Sequence, residues 1–228
     1  MIPQDEIKKI KHIVVEYDKN HFIQASILYS YMLSLHKKVS LYGAEEVSRY
    51  AFLPWYEKSR LQKPVSADFY FSVNNIELLD LYFYFKENKI KINKKIATAF
   101  FAGFLEQYEN FLSSACYGTI FAIVSELIEY GAERQLCIEE LTQKIPLRIF
   151  RLKAIAYKKL LLQQNGEVAY VDLDEKDFIT TGAQWCDVDF IAKEILSLVN
   201  VKEVMIIKND EKNKIINLKK EVYFEKKK

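Results

Sequence analysis

The chain has few of the residues that build disulfides or metal centres. Its 228 residues include three cysteines and three histidines. The cysteines, Cys116, Cys137 and Cys186, are an odd number without close pairing, and neither Cys-x-x-Cys nor His-x-x-x-His spacing occurs. A structural zinc site normally depends on such spacing, so the sequence argues against zinc and favours reduced thiols.

The sequence also lacks a strong charge of one sign and a long apolar run. Lys and Arg total 33 against 31 Asp and Glu, which leaves a net charge of +2. No apolar stretch approaches the roughly 18 residues that cross a bilayer. The polar first residues lack the apolar core of a secretory signal. We therefore expect a cytoplasmic protein that has no membrane partner.

Lysine pairs are scattered along the chain. Residues 37–38, 94–95 and 158–159 are such pairs, and acidic residues are interspersed with them. A nucleic-acid-binding surface is usually indicated by a continuous basic stripe. The sequence therefore gives no strong nucleic-acid signal.

Hydrophobic residues make up 50% of the chain, enough for a sizeable core. Short β-branched runs alternate with segments of helical period, which predicts an α/β protein with a parallel sheet flanked by helices. Strands are predicted at residues 12–17, 39–43, 68–73, 167–173, 203–208 and 214–218, the third as a buried strand. Helices are predicted at residues 4–10, 22–36, 76–88, 94–111, 116–130, 135–143, 146–163, 175–180 and 188–199.

Several stretches resemble the DHH (Asp-His-His) phosphoesterase family, which includes RecJ-like and nanoRNase-like enzymes. Residues 92–103, INKKIATAFFAG, are similar to the family pattern I-x-x-x-I-A-T-A-L-Y-A-G. Residues 125–133, SELIEYGAE, are similar to A-E-L-I-E-A-G-A-D. Residues 166–171, 181–183 and 201–207 follow in the expected order. The resemblance covers nearly the whole chain.

The resemblance implies two domains and a metal-dependent hydrolase. The DHH-like domain would span residues 1–150, and a small, truncated α/β C-terminal domain would span 151–228. Family members hydrolyse phosphoester bonds of short oligonucleotides and nucleotides. They use two divalent ions, commonly manganese, held by clustered anionic ligands.

The family's first metal signature, H-D-N-P-D-G-D-A-L-G-S, falls on residues 16–26. Glu16 lies where the family has a metal-binding histidine. Asn20 and Phe22 lie where it has two metal-binding aspartates, and Ser26 is unchanged. This loop therefore lacks both of its expected aspartates.

The remaining signatures are also degenerate. Asn74 lies at the aspartate that ends the third strand, and Gln107 lies at the aspartate of the fourth signature. The Asp-His-His motif itself is missing, because the chain runs from Asn75 directly into the next predicted helix. An amide lacks the charge that a carboxylate places about 2 Å from a divalent ion, so we expect no metal cofactor.

These losses favour an inactive member of the family that acts as a binding or scaffold module. The missing motif and the short C-terminal domain would leave surfaces uncovered. Such surfaces predict an unidentified protein partner or a homo-oligomer.

Two alternatives stay open. Glu16, Asp18, Glu106 and Glu109 could rebuild a manganese or magnesium site that retains phosphoesterase activity. In a metal-free receptor, Asn20, Asn74 and Gln107 would instead hydrogen-bond a nucleotide or short oligonucleotide. Structural roles are also available, with Asp18 or Asn20 capping a helix and Glu106 and Glu109 marking a helix end.

Overall fold

A computed structural model describes residues 10–43, 47–209 and 214–220. Most of the helix predicted at residues 4–10 lies outside these ranges. The chain divides into two compact units, residues 1–144 and 145–228. Each unit has its own sheet and its own hydrophobic core.

The first unit contains a parallel four-stranded sheet in the order β3-β2-β1-β4. Its strands are β1 (His12–Tyr17), β2 (Lys38–Gly43), β3 (Ser59–Arg60) and β4 (Phe69–Ser72). In the centre of the sheet, Ile13 of β1 pairs with Val39 on one side and Phe69 on the other. Ile13, Val14 and Val15 are fully buried, as expected for an apolar run in a parallel sheet.

Helices of the first unit form the rest of its core. They are α1 (Phe22–Ser34), α2 (Leu78–Glu87), α3 (Lys94–Gln107), α4 (Gly118–Glu129) and α5 (Arg134–Ile138), which a π-helical turn (Glu139–Gln143) continues. α1 packs against β1 and β2, and α3 packs against the other four helices. A Cβ at Gly103 would lie 2.5 Å from Leu78 and 3.0 Å from Ile23, so glycine permits this close helix packing.

The second unit has a mixed sheet in the order β5-β6-β7-β8. Its elements are α6 (Leu147–Lys159), β5 (Leu161–Gln163), β6 (Val168–Asp174), α7 (Glu175–Thr181), α8 (Val188–Leu196), β7 (Glu203–Asn209) and β8 (Lys214–Lys219). β6 and β7 are parallel, and the two outer pairings are antiparallel. A reciprocal capping box between Asp174 and Asp177 begins α7.

The structure confirms the predicted α/β fold with a parallel sheet flanked by helices. Three local predictions were wrong. The helix predicted at 146–163 ends at Lys159, and β5 follows it. The helix predicted at 94–111 ends at Gln107, because residues 109–111 have positive φ values of 49°, 62° and 64°. The strand predicted as buried is the edge strand β4, where Tyr70 is 37% exposed.

No helix in the described parts of the chain combines the length and hydropathy needed to span a bilayer.

Candidate functional site

The candidate site lies where β1 and β4 end. Because these strands are parallel, their carboxyl ends meet at one edge of the sheet, where α/β folds usually bind ligands. The Val73 N–H donates to the Glu16 carbonyl at 3.0 Å. Just beyond, the Asp18 N–H donates to Oδ1 of Asn74 at 3.0 Å. The fold therefore brings together Asp18 and Asn74, which are 56 positions apart in the sequence.

The loop between β1 and α1 is organised by Asp18. Its Oδ1 accepts a hydrogen bond from the Asn20 N–H at 2.8 Å and lies 2.6 Å from Nδ1 of His21. Partial burial favours the protonated carboxyl, but the hydrogen bonds from His21 and Asn20 outweigh it and lower the pKa of Asp18. His21 is the residue before α1, and no side chain caps the helix. The predicted capping role of Asp18 or Asn20 was wrong, because Asp18 is used within the loop.

Phe22 occupies the position of the second expected aspartate of the first signature and is completely buried. Its ring centroid lies 5.2 Å from Tyr17, 5.8 Å from Tyr50 and 5.9 Å from Tyr56. The rings of Tyr17 and Tyr56 meet it edge-on, whereas the ring of Tyr50 stacks on it. The space beside the first turn of α1 is thus filled by this aromatic cluster of Phe22 and three tyrosines.

Glu16 lies on β1 between the core-facing residues Val15 and Tyr17, so its side chain points to the other face of the sheet. There its carboxylate forms an ion pair with Lys63. The Lys63 ammonium also lies 4.7 Å from the ring centroid of Tyr70 and 5.9 Å from that of Tyr42. The only acidic residue at an expected ligand position is therefore neutralised by a cation from the same chain.

The end of α3 contributes Glu106 and Gln107. Glu106 Oε2 accepts a hydrogen bond from the Tyr50 hydroxyl at 2.6 Å, and its Oε1 lies 2.5 Å from Nη2 of Arg49. Burial, together with the negative charge of Glu106, raises the pKa of Tyr50 above its ordinary value. Gln107 is exposed, as is Glu109 beyond the helix end. Glu106 is thus engaged by two residues from the connection that follows β2.

Arg49 and Tyr50 were not identified from the sequence. They lie in a short 3-10 turn, Ser48–Tyr50, within an irregular connection. No hydrophobic period or motif marks such a segment, so the sequence carried no signal that they would reach α3.

Ser26, the unchanged residue of the first signature, has a structural role here. It is fully buried, and its hydroxyl donates to the carbonyl of Pro54 at 2.8 Å. This bond attaches α1 to the irregular connection. Asn20, by contrast, is exposed at the surface of the β1–α1 loop.

The donors at this edge do not fit a pair of divalent ions. Glu16, Asp18 and Glu106 are each paired with a basic side chain, Lys63, His21 and Arg49 respectively. Within the described residues, no three His, Cys, Asp or Glu side chains come together as ligands for one ion. A two-metal centre needs several free anionic oxygens. The residues present therefore do not match the metal site that the family resemblance implies.

The fold is similar to that of an exopolyphosphatase-related protein from Bacteroides fragilis, with a TM-score of 0.73. That similarity covers 95% of this chain and 82% of the other at 13% sequence identity, and it concerns the fold alone. A candidate family II inorganic pyrophosphatase from Methanococcus jannaschii aligns over 91% of this chain and 88% of its own. Its TM-score of 0.33 and 12% identity are too low to support an argument. No protein-family model matches the chain, and no curated protein is significantly similar to it.

Proposed function

We propose that the chain is a DHH phosphoesterase-like protein without two-metal catalysis that acts as a binding or scaffold module through protein–protein contacts. The observation that supports the absence of two-metal catalysis is the burial of Phe22. A fully buried ring occupies the position where the family resemblance calls for an anionic metal ligand.

Electrostatics supports the loss of catalysis. A unit charge near a cation contributes on the order of several kcal/mol even where the effective dielectric is high. Asn20, Asn74 and Gln107 are neutral. The nearby Glu106 is already satisfied by Arg49 and Tyr50. Binding an ion through Glu106 requires breaking these two interactions first.

An apolar surface next to α3 supports the second part. Leu112, Tyr117 and Phe121, which we call the 112–121 surface, are 85%, 69% and 52% exposed. The ring of Phe121 packs against Phe111 at 6.0 Å and leaves much of its area open to solvent. Large side chains exposed together are typical of protein contact sites. We propose that a protein partner or a second copy of the chain covers this surface.

Metal content and hydrolysis test the catalytic part. After dialysis against manganese and then against metal-free buffer, we expect substoichiometric manganese by elemental analysis. We also expect no hydrolysis of a short RNA or bis(p-nitrophenyl) phosphate above the buffer control. Stoichiometric manganese with turnover would overturn the proposal and support a rebuilt site, provided that Glu106→Gln abolishes the turnover and Glu129→Gln, at an exposed position outside the site, leaves it intact.

Self-association and selective capture test the binding part. Leu112→Asp/Phe121→Asp places two charges on the 112–121 surface, and Leu61→Asp/Val65→Asp is the matched control at two other exposed apolar positions. We expect sedimentation velocity to detect self-association, or quantitative affinity capture to detect a bound protein. The first double variant should lose this association, and the control should keep it. Wild type that stays monomeric and captures the same proteins as both variants would contradict the proposal.

A further inference from the structure

The connection between α2 and α3 carries an unusual density of positive charge. Residues 86–95, KENKIKINKK, contain five lysines and one acidic residue, Glu87. In the sequence, Lys94–Lys95 is one of several lysine pairs that are dispersed along the chain. The structure places Lys86 in the last turn of α2, Lys89 and Lys91 in the connection, and Lys94 and Lys95 in the first turn of α3.

Ion pairing in the structure neutralises only part of this charge. Lys86 pairs with Glu126, and Lys94 pairs with Glu133 at 2.8 Å. Lys89, Lys91 and Lys95 are exposed, and none of them has a carboxylate within ion-pair distance in the described ranges. Three ammonium groups of residues 86–95 therefore have no carboxylate partner from the described chain.

The same connection lines two pockets. One has a volume of about 400 Å³, and its walls include Lys86, Lys89, Lys91, Ile90 and Tyr130. The other has a volume of about 450 Å³, and its walls include Ser30, Ser34, Trp55, Asn93, Lys94 and Lys95. Each pocket thus combines ammonium groups with an aromatic ring and an apolar wall.

Trp55 is held in a fixed orientation at the second pocket. Its φ of 72° is rare for a bulky residue and costs about 1 kcal/mol or more. Its indole N–H donates to Oγ of Ser30 at 2.6 Å, and Ser30 is only 5% exposed. The ammonium of Lys95 lies 3.9 Å from the ring centroid. An exposed cation–π contact is weaker than a charged phosphate contact, so Lys95 can turn to a phosphate and leave the ring face for a base.

From these observations we infer that the α2–α3 connection binds single-stranded nucleic acid. Lys89, Lys91 and Lys95 contact phosphates, and the ring of Trp55 stacks on a base. The pairing of ammonium groups with a ring in each pocket favours nucleic acid over an inorganic phosphate chain, which makes no use of the rings. The inference does not rest on the proposed function.

This surface is separate from the candidate site. The candidate site uses Phe22 at the start of α1 and Glu106 at the end of α3. The second pocket uses Ser34 at the end of α1 and Lys95 at the start of α3. At 1.5 Å per helical residue, the two ends of α1 lie about 18 Å apart.

Fluorescence anisotropy with a labelled oligouridine 12-mer tests the charge part. For three contacts to a single strand, the log of the affinity is expected to fall with the log of salt concentration with a slope of about −2. Lys89→Glu/Lys91→Glu/Lys95→Glu should reduce affinity at least about tenfold at low salt and flatten that slope. The matched control, Lys19→Glu/Lys158→Glu/Lys176→Glu, makes the same charge change at other exposed lysines and should bind within about twofold of wild type.

Tryptophan fluorescence tests the stacking part. The chain has two tryptophans, so Trp185→Phe leaves Trp55 as the only tryptophan. We expect the 12-mer to quench Trp55 emission, and inorganic polyphosphate of equal charge to cause no quenching. Trp55→Leu should lower the affinity for the 12-mer by about fivefold or more. Since all six lysines in the two triple variants are exposed, their result stands even if Trp55→Leu fails to fold.

Three results would overturn the inference. The first is that wild type does not bind the 12-mer at 50 mM salt. The second is that both triple variants lose the same amount of affinity for the 12-mer. The third is that polyphosphate competes for the surface as strongly as unlabelled 12-mer does, and that the 12-mer does not quench Trp55. The last result would assign the surface to phosphate chains alone.

Discussion

The backbone N–H of Asp18 donates to Oδ1 of Asn74 at 3.0 Å, and this bond joins the ends of β1 and β4. In the family that the sequence resembles, these two regions supply metal ligands. Here an amide side chain at the second region accepts a hydrogen bond from the first. In this chain the contact is structural.

Asn74→Ala should destabilise the protein modestly. The substitution removes an exposed hydrogen bond, so we expect a loss of about 0.5–1 kcal/mol in the free energy of unfolding. Urea unfolding followed by circular dichroism measures it. Asn75→Ala, at the neighbouring exposed position, is the control and should change stability by less than about 0.5 kcal/mol. Equal effects of the two variants would contradict a specific role for the Asn74 amide.

Phe22→Ala should destabilise the protein strongly. The ring is fully buried among three tyrosines, and a buried Phe→Ala change typically costs about 3–5 kcal/mol. Chemical denaturation of the variant against wild type gives the difference. Phe83→Ala is the control. Because Phe83 is 41% exposed, this substitution should lower the free energy of unfolding clearly less. A loss under about 1 kcal/mol at Phe22 would mean that the candidate site is open rather than filled.

Glu126 should make stability depend on pH in the acid range. Burial tends to raise its pKa, but hydrogen bonds from Lys86, Tyr130 and Tyr82 outweigh burial and lower the pKa to about 2. Because the folded-state pKa is below the ordinary value of 4.5, the stabilisation is complete above pH 4.5 and is lost as the pH falls towards about 2.

Glu126→Gln should therefore reduce the loss of stability between pH 5 and pH 2. After allowance for solvent screening, we expect the difference to be roughly 1 kcal/mol. Thermal or urea unfolding at several pH values measures it. Glu129→Gln, at an exposed position of the same helix, should retain the wild-type pH profile. Identical profiles for Glu126→Gln and wild type would show that Lys86, Tyr130 and Tyr82 do not hold the Glu126 carboxylate in its charged form.

The three cysteines should react at different rates in the folded protein. Burial, with a further effect from the charge of Glu133, raises the pKa of Cys137 to about 12, whereas Cys186 is exposed. Since the thiolate is the reactive form, iodoacetamide at pH 8 should label Cys186 first and Cys137 last. Peptide mass spectrometry over time measures the order, and labelling in urea should remove the difference. Rapid native labelling of Cys137 would contradict the packing of α5 against α3.

The local pattern of the chain was enough to predict most elements of the fold. The strand at His12–Tyr17 has the predicted bounds, and the start of α3 at Lys94 was also predicted. The pattern failed where neighbours far along the chain decide the outcome. β5 continues directly from a helical segment, and its strand conformation depends on pairing with β6.

For the candidate site, the sequence indicated the positions that lack the ligands implied by the resemblance, without revealing their partners. The pairing of Asn74 with the Asp18 loop follows from the parallel order of β1 and β4. The engagement of Glu106 by Arg49 and Tyr50 could not be predicted, since these two residues come from an irregular segment. The catalytic and receptor alternatives stay predictions until metal content and ligand binding are measured.

The sequence by itself determined the α/β class and the absence of aspartate at the expected ligand positions, because both depend on residue identity and local period. Only the tertiary structure decided that Phe22 is enclosed by aromatic rings, that Glu106 is paired, and that Lys89, Lys91 and Lys95 form no ion pair with the described residues. Burial and charge compensation depend on side chains that are distant in sequence. Tyr50 and Glu106, for example, are 56 positions apart and meet only when the chain folds.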